Sequence, residues 1–207
     1  MVAIIDYGVG NLFSLYSSFG FLGEKVVVSS DPEVLRSASH IVLPGVGAFA
    51  DAAEKLRSSG LVPVIEAEVK KGKPFLGICL GMQLLFNCSY EYGKHQGLGL
   101  IPGEVCPISD VIPADLKIPH IGWNALSFKG DSPIFRYLKE GDHVYFVHSF
   151  YADLCDPFVT AYTDYGARLT AAVQRGNVFG CQFHPEKSGD VGLKILKAFC
   201  ELEEGVC

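Results

Sequence analysis

Short, almost wholly apolar runs alternate along the first half of the chain with longer stretches whose apolar residues recur every three or four positions. The runs lie at 2–6, 25–28, 41–43 and 75–78. None alternates polar with apolar, so they read as strands buried on both faces, the pattern of a parallel sheet covered by helices on both sides. Between them, Asn11 stands as an N-cap before Leu12, Leu15, Phe19 and Leu22 at helical spacing. Asp31-Pro32 is a second cap, with proline at the first helical position. Helices are expected near 49–59 and 61–71, and an apolar helix over 80–86 follows Cys79.

Beyond residue 98 the pattern shortens into strands and turns, at 98–101, 103–107, 121–127, 143–148, 158–163, 169–175 and 177–183. Arg175-Gly176-Asn177 is a hairpin turn, and a helix near 189–203 closes the chain. Strand-helix alternation followed by short strands predicts an α/β fold, with a mostly parallel central sheet and added antiparallel strands in the second half. No linker, repeat or low-complexity tract interrupts it, so 1–207 is expected to be a single domain.

Composition narrows the function classes. Hydrophobic residues make up 49% and charged residues 19%, enough for a sizeable core and too apolar for disorder. The net charge is −6 with Lys and Arg scattered singly, which argues against a nucleic-acid partner. No apolar run reaches about 18 residues, so no membrane span is expected. The start lacks a charged leader, and a cytoplasmic protein is expected. Seven cysteines, at 79, 88, 106, 155, 181, 200 and 207, form no Cys-x-x-Cys pair, and six histidines show no metal-ligand spacing. Reduced, mostly buried cysteines are expected, with no metal and no cofactor.

One cysteine is different. Gly77-Ile78-Cys79-Leu80-Gly81 has the Gly-x-nucleophile-x-Gly shape of a strand-to-helix elbow, with Cys in place of Ser. Such a turn strains the nucleophile's backbone and brings the flanking positions so close that only very small residues fit. It exposes the sulfur at the carboxyl edge of the sheet, at a helix N-terminus where a thiolate is favoured, and aims the Leu80 amide at a developing oxyanion. Cysteine chemistry needs a base. His184, in Gln182-Phe183-His184-Pro185-Glu186, sits at a strand end, and Pro185 is expected to keep the segment extended so that Glu186 lies beside the imidazole and orients it. Pro44-Gly45-Val46-Gly47 directly follows a strand, and its glycines let a peptide N–H turn inward, so Val46 can supply the second oxyanion donor. Gly8-Val9-Gly10-Asn11 lacks the third glycine of a dinucleotide loop and reads as a turn and cap. His40, His95 and His120 read as structural or exposed.

Taken together, Pro44 to Gly47, Gly77 to Gln83, His148-Ser149-Phe150 and His184-Pro185-Glu186 resemble the class I (triad) glutamine amidotransferases, in that family's order of Cys, His and Glu. The resemblance implies a three-layer, flavodoxin-like fold and hydrolysis of glutamine by Cys79, His184 and Glu186. It implies that Gly47, Gln83, Glu91, Ser149 and Phe150 hold the amino-acid end of the substrate. Phe150 departs from a common Tyr, but the resemblance implies that the backbone does the holding. Within the family, Ile4 to Leu12, the Pro-Gly-Val-Gly loop and Pro119-His120-Ile121-Gly122-Trp123-Asn124 are most similar to the glutaminase subunits of imidazole glycerol phosphate synthases, from histidine biosynthesis. That likeness implies a heterodimer with a (β/α)₈ cyclase subunit, to which ammonia is channelled, with Trp123, Asn124 and Tyr145 at the interface. The alternatives are a glutaminase subunit of anthranilate or aminodeoxychorismate synthase, a cysteine peptidase-like member of the same fold, and a noncatalytic binding module.

Overall fold

The structure, a computed structural model, describes residues 1–203 and 205; Cys207 lies outside the described residues. The first half comprises β1 (Val2–Ile5), α1 (Leu12–Phe21), β2 (Val26–Ser29), α2 (Pro32–Ser37), β3 (His40–Leu43), α3 (Phe49–Ser58), α4 (Val62–Lys70), β4 (Phe75–Ile78) and α5 (Leu80–Gln83). Then come β5 (Cys88–Ser89), β6 (His95–Gln96), β7 (Glu104–Pro107), β8 (His120–Ala125), β9 (Ser127–Phe128), β10 (His143–His148) and β11 (Phe150–Asp153). The chain closes with β12 (Val159–Asp164), β13 (Arg168–Arg175), β14 (Val178–Cys181) and α6 (Gly189–Cys200).

The central sheet has the order β2-β1-β3-β4-β14-β13-β12-β9. The first five are parallel and the last three are joined antiparallel. Because successive side chains of a strand point to opposite faces, each apolar run feeds two cores. Val2, Ile4, Val42, Leu76 and Ile78 pack with Leu15 and Phe19 of α1 and Ile195 and Phe199 of α6. Ile5, Ile41, Leu43 and Phe75 pack with Leu35 of α2, Leu56 of α3 and Ile65 of α4. This is the expected three-layer arrangement. Among the described residues no helix is long and apolar enough to cross a membrane.

Two smaller sheets stand beside the carboxyl edge: β10 with β8, and β11-β7-β5-β6. Here the expectations need correcting. Residues 98–101 are not a strand; the amides of Leu98, Gly99 and Ile101 donate instead to the carbonyls of Leu84, Phe86 and Leu85. Those carbonyls end the helix after Cys79, which is one regular turn, α5, and not seven residues. Asn11 precedes α1 but makes no side-chain cap bond, whereas the Asp31 carboxylate accepts from the Glu33 amide at 2.8 Å as expected. The closing helix ends at Cys200.

Candidate functional site

The carboxyl ends of β3, β4 and β14 meet at one edge, the place where parallel α/β sheets gather ligands. Cys79 follows β4 directly and has φ +54°, a left-handed backbone rare for a side-chain-bearing residue. Glycine makes that turn possible by close approach. A Cβ on Gly77 would stand 2.6 Å from the Gly81 carbonyl oxygen, and one on Gly81 would stand 1.9 Å from that of Leu43. A Cβ on Gly45 would likewise stand 2.5 Å from the Gly81 nitrogen. The base of the Pro44–Gly47 loop is therefore locked on the elbow. The buried Tyr7 hydroxyl also holds it, donating to the Pro44 carbonyl at 2.7 Å. Val46 and Gly47, by contrast, are exposed. Gly8 to Asn11 forms a turn in which Asp6 accepts from the Gly8 amide at 3.1 Å.

Leu80 begins α5, so its amide has no intrahelical acceptor. The helix is a single turn, and its dipole is correspondingly small. A cavity of about 300 Å³ opens over the sulfur, lined by Val46, Gly47, Cys79, Leu80, Gln83, Glu91, Pro119, Val147, His148, Ser149, Phe150 and His184. Every cavity residue anticipated from sequence is thus brought together. Glu91 reaches it from the β5–β6 connection and accepts from the Phe49 amide at 2.6 Å, at the start of α3. Among the described residues no group of three or more His, Cys, Asp or Glu is placed to hold a metal ion.

His184 is almost fully buried and lines the same cavity as the Cys79 sulfur. Its Nδ1 lies 2.8 Å from Glu186 Oε1. The spacing of two residues is as expected but the backbone is not. Residues Pro185–Lys187 form a 3₁₀ turn in place of an extended segment, since proline's fixed φ suits a first helical position and the Lys187 amide donates back to His184. Burial opposes a charged His184, but the Cys79 sulfur and the Glu186 carboxylate outweigh it and push its pKa up to about 9. A pKa raised above the ordinary 6.5 stabilises the fold fully below about 6.5, and the contribution disappears as pH rises through about 9. Glu186→Gln is therefore expected to lower stability by roughly 1–3 kcal/mol near pH 6 and by much less near pH 10. Paired thermal melts at the two pH values check this; an equal loss at both contradicts it.

The other described cysteines are free thiols as well. Burial pushes Cys106 and Cys155 up to about 11, Cys200 up to about 12, and Cys181 further still. They are poor nucleophiles at neutral pH.

Two further buried residues belong to this region: His120, read from sequence as structural or exposed, and Gln182, which was not singled out from sequence. His120 is completely buried, with Nδ1 3.0 Å from His148 Nε2 and Nε2 2.9 Å from Asn124 Oδ1. His148 Nδ1 in turn sits 2.8 Å from the Phe150 carbonyl, which can only accept. Gln182 is also completely buried, between Gln83 and Cys79. Its signal in the sequence was a lone amide in an apolar run, which must find buried partners. His120 offered no comparable cue.

Trp123, Asn124 and Tyr145 lie outside the cavity, on the β8–β10 ribbon. Trp123 is 53% exposed and pairs across the strands with Tyr145, ring centroids 6.0 Å apart. Asn124 is turned inward: its amide is used on His120 and on the Asp164 carbonyl.

Comparison with known proteins bears on the family and the fold. The family model described as glutamine amidotransferase class-I matches residues 3–201. The imidazole glycerol phosphate synthase subunit HisH of Caldanaerobacter subterraneus subsp. tengcongensis is 48% identical over 203 residues, 98% of each chain. Its counterpart of the same name from Lactococcus lactis subsp. lactis is 49% identical, covering 97% of this chain and 98% of that one. That from Aquifex aeolicus is 52% identical, covering 95% and 94%. Among solved structures, a glutamine amidotransferase superposes with a TM-score of 0.74 at 20% identity, covering 97% of this chain and all of that one. PurLQS from Thermotoga maritima does so with 0.73 at 23%, covering 96% of each. At such identities the likeness speaks for the fold alone.

Proposed function

The chain belongs to the class-I glutamine amidotransferase family, and on that premise we propose that it is the glutamine-hydrolysing subunit of an imidazole glycerol phosphate synthase, with Cys79, His184 and Glu186 as its catalytic residues. The observation that carries the catalytic assignment is the single cavity in which the Cys79 sulfur, on its strained elbow, meets a buried His184 paired with Glu186. Relatives about half identical over nearly their whole length support the choice of synthase over the anthranilate and aminodeoxychorismate types.

The chemistry runs in two halves. The Cys79 thiolate attacks the side-chain amide carbon of glutamine. The amides of Leu80 and Val46 hold the oxyanion. Imidazolium His184 gives its proton to the departing nitrogen, and ammonia leaves a γ-glutamyl thioester on Cys79. Water then attacks the thioester, His184 takes its proton, the C–S bond breaks, and glutamate is released. Glu186 keeps the imidazole oriented and supports its charge. Gly47, Gln83, Glu91 and the Ser149–Phe150 segment hold the amino-acid end, where Glu91 offers a carboxylate to the substrate ammonium.

Ammonia passes to a (β/α)₈ cyclase subunit docked on the ribbon that displays Trp123 and Tyr145. There it reacts with the phosphoribulosyl-formimino ribonucleotide to give imidazole glycerol phosphate and aminoimidazole carboxamide ribotide. This half of the proposal follows from the family resemblance. The exposed Val46–Gly47 peptides are the element that the partner sets in place, so that glutamine is not wasted when the cyclase is empty.

The test is glutamate release from glutamine by the purified chain, alone and with the cyclase subunit and its nucleotide ligand. Low activity alone and a large rise with both is the expected result. Activity that does not rise contradicts the assignment of this partner, and no glutamate under any condition contradicts the amidotransferase chemistry.

A further inference from the structure

A buried amide with no role in this scheme touches the reacting sulfur. Gln182 Nε2 lies 3.8 Å from Cys79 Sγ. Which end of that amide faces the sulfur follows from a chain of acceptors. Gln83 Nε2 lies 3.2 Å from the Phe150 backbone carbonyl, a group that can only accept, so this end of Gln83 is the NH₂. The same nitrogen lies 3.0 Å from the Gln182 side chain, whose facing atom must then be its oxygen. The Gln182 NH₂ is left pointing at Cys79.

The backbone fixes the two residues against one another. The Gln182 amide donates to Ala171 at 2.8 Å, and the Cys79 amide donates to Cys181 at 2.7 Å. Gln182 is wholly buried, so its donor is shielded from water, which would otherwise compete for the sulfur.

We propose that Gln182 is a further catalytic residue, a fixed neutral donor to the Cys79 sulfur that steadies it as thiolate before attack and as leaving group when the thioester breaks. This rests on the reading of Cys79 as the nucleophile. His184 cannot serve both ends of the second half-reaction equally. It takes the proton from water while the C–S electron pair returns to sulfur. A carboxamide beside that sulfur donates a hydrogen bond at every pH and cannot give up its proton and quench the thiolate. Gln83 gains a second duty, since its NH₂ fixes which way the Gln182 amide points.

The experiment measures the thiol itself. Iodoacetamide alkylation of Cys79 is followed by peptide mass spectrometry on the full chain, over a range of pH, for the wild type and for Gln182→Met, which keeps the volume and removes the donor. Losing one hydrogen bond to a charged sulfur is expected to slow alkylation at neutral pH about tenfold and to move the rising limb of the rate to higher pH. In the complex, kcat is expected to fall about tenfold with a smaller change in KM. Should Gln182→Met fail to fold, Gln182→Asn, which draws the amide back from the sulfur, takes its place with the same expectation. Alkylation at the wild-type rate and pH dependence in a folded variant overturns the proposal and leaves the nucleophile standing. Glutamine hydrolysis that survives Cys79→Ala instead overturns the nucleophile reading beneath it.

Discussion

Cys79→Ala is expected to abolish glutamine hydrolysis, by a factor of at least about 10³ and up to about 10⁶, while leaving the fold and the docking of the partner intact. The factor is large because the substitution removes the covalent route, and no other described side chain in the cavity offers a thiol. The effect on stability should be small, about 1 kcal/mol, because only one buried atom is lost. The strained φ of +54° does not add to it, since alanine and cysteine bear that strain alike. Trp123 and Tyr145 lie on a different sheet from β4, so partner binding should be unchanged. Glutamate release and a partner-binding assay on the same sample check both halves. Hydrolysis near the wild-type rate would remove Cys79 from the mechanism, and loss of binding would mean that the elbow shapes the docking surface.

The second large effect is structural. Gly81→Ala is expected to destabilise the chain by about 3 kcal/mol and to disable the site in the molecules that remain folded. A methyl group there would stand 1.9 Å from the Leu43 oxygen, and its other neighbours are the backbone of Leu43 and Pro44, which cannot swing aside as a flexible side chain could. Relief requires β3 to part from α5, which moves the Pro44–Gly47 loop away from Cys79. Gly47→Ala is the internal control. Its φ of +93° strains any side chain, but no atom lies within 4 Å of the new methyl group, so the loss should be nearer 1–2 kcal/mol. Urea denaturation of both variants measures the difference. Equal losses would show that backbone conformation, not close approach, explains the glycine at 81.

These contrasts show what the sequence can and cannot disclose. The apolar runs that became β1, β3 and β4 were legible because a strand buried on both faces needs apolar residues at every position, and β2, half-buried at the edge of the sheet, was legible from its run of valines. The elbow was legible because its glycines are a local steric requirement. The site followed, since Cys79 and His184 stand at the ends of neighbouring strands, β4 and β14. What escaped depends on partners far along the chain. Leu98 to Ile101 looks like a strand, yet its amides serve the carbonyls that end α5. β11 was missed because Ser149 interrupts a continuous-looking segment, and there the chain leaves its pairing with β8 for one with β7. Glu186 was placed correctly against His184 through the wrong backbone, because a two-residue spacing suits a 3₁₀ turn with proline at its start as well as a strand. Gln182 meets Cys79 across 103 residues and His120 meets His148 across 28, and no local pattern encodes either contact.

Of all these measurements, the one closest to the central claim is chemical quenching of the active complex during glutamine turnover, followed by mass spectrometry of the peptide that carries Cys79. A γ-glutamyl group is expected on the Cys79 sulfur, formed only with glutamine present and lost again on incubation as glutamate appears. Steady glutamate release with that peptide unmodified at every quench time, and the group carried on another residue instead, would contradict it.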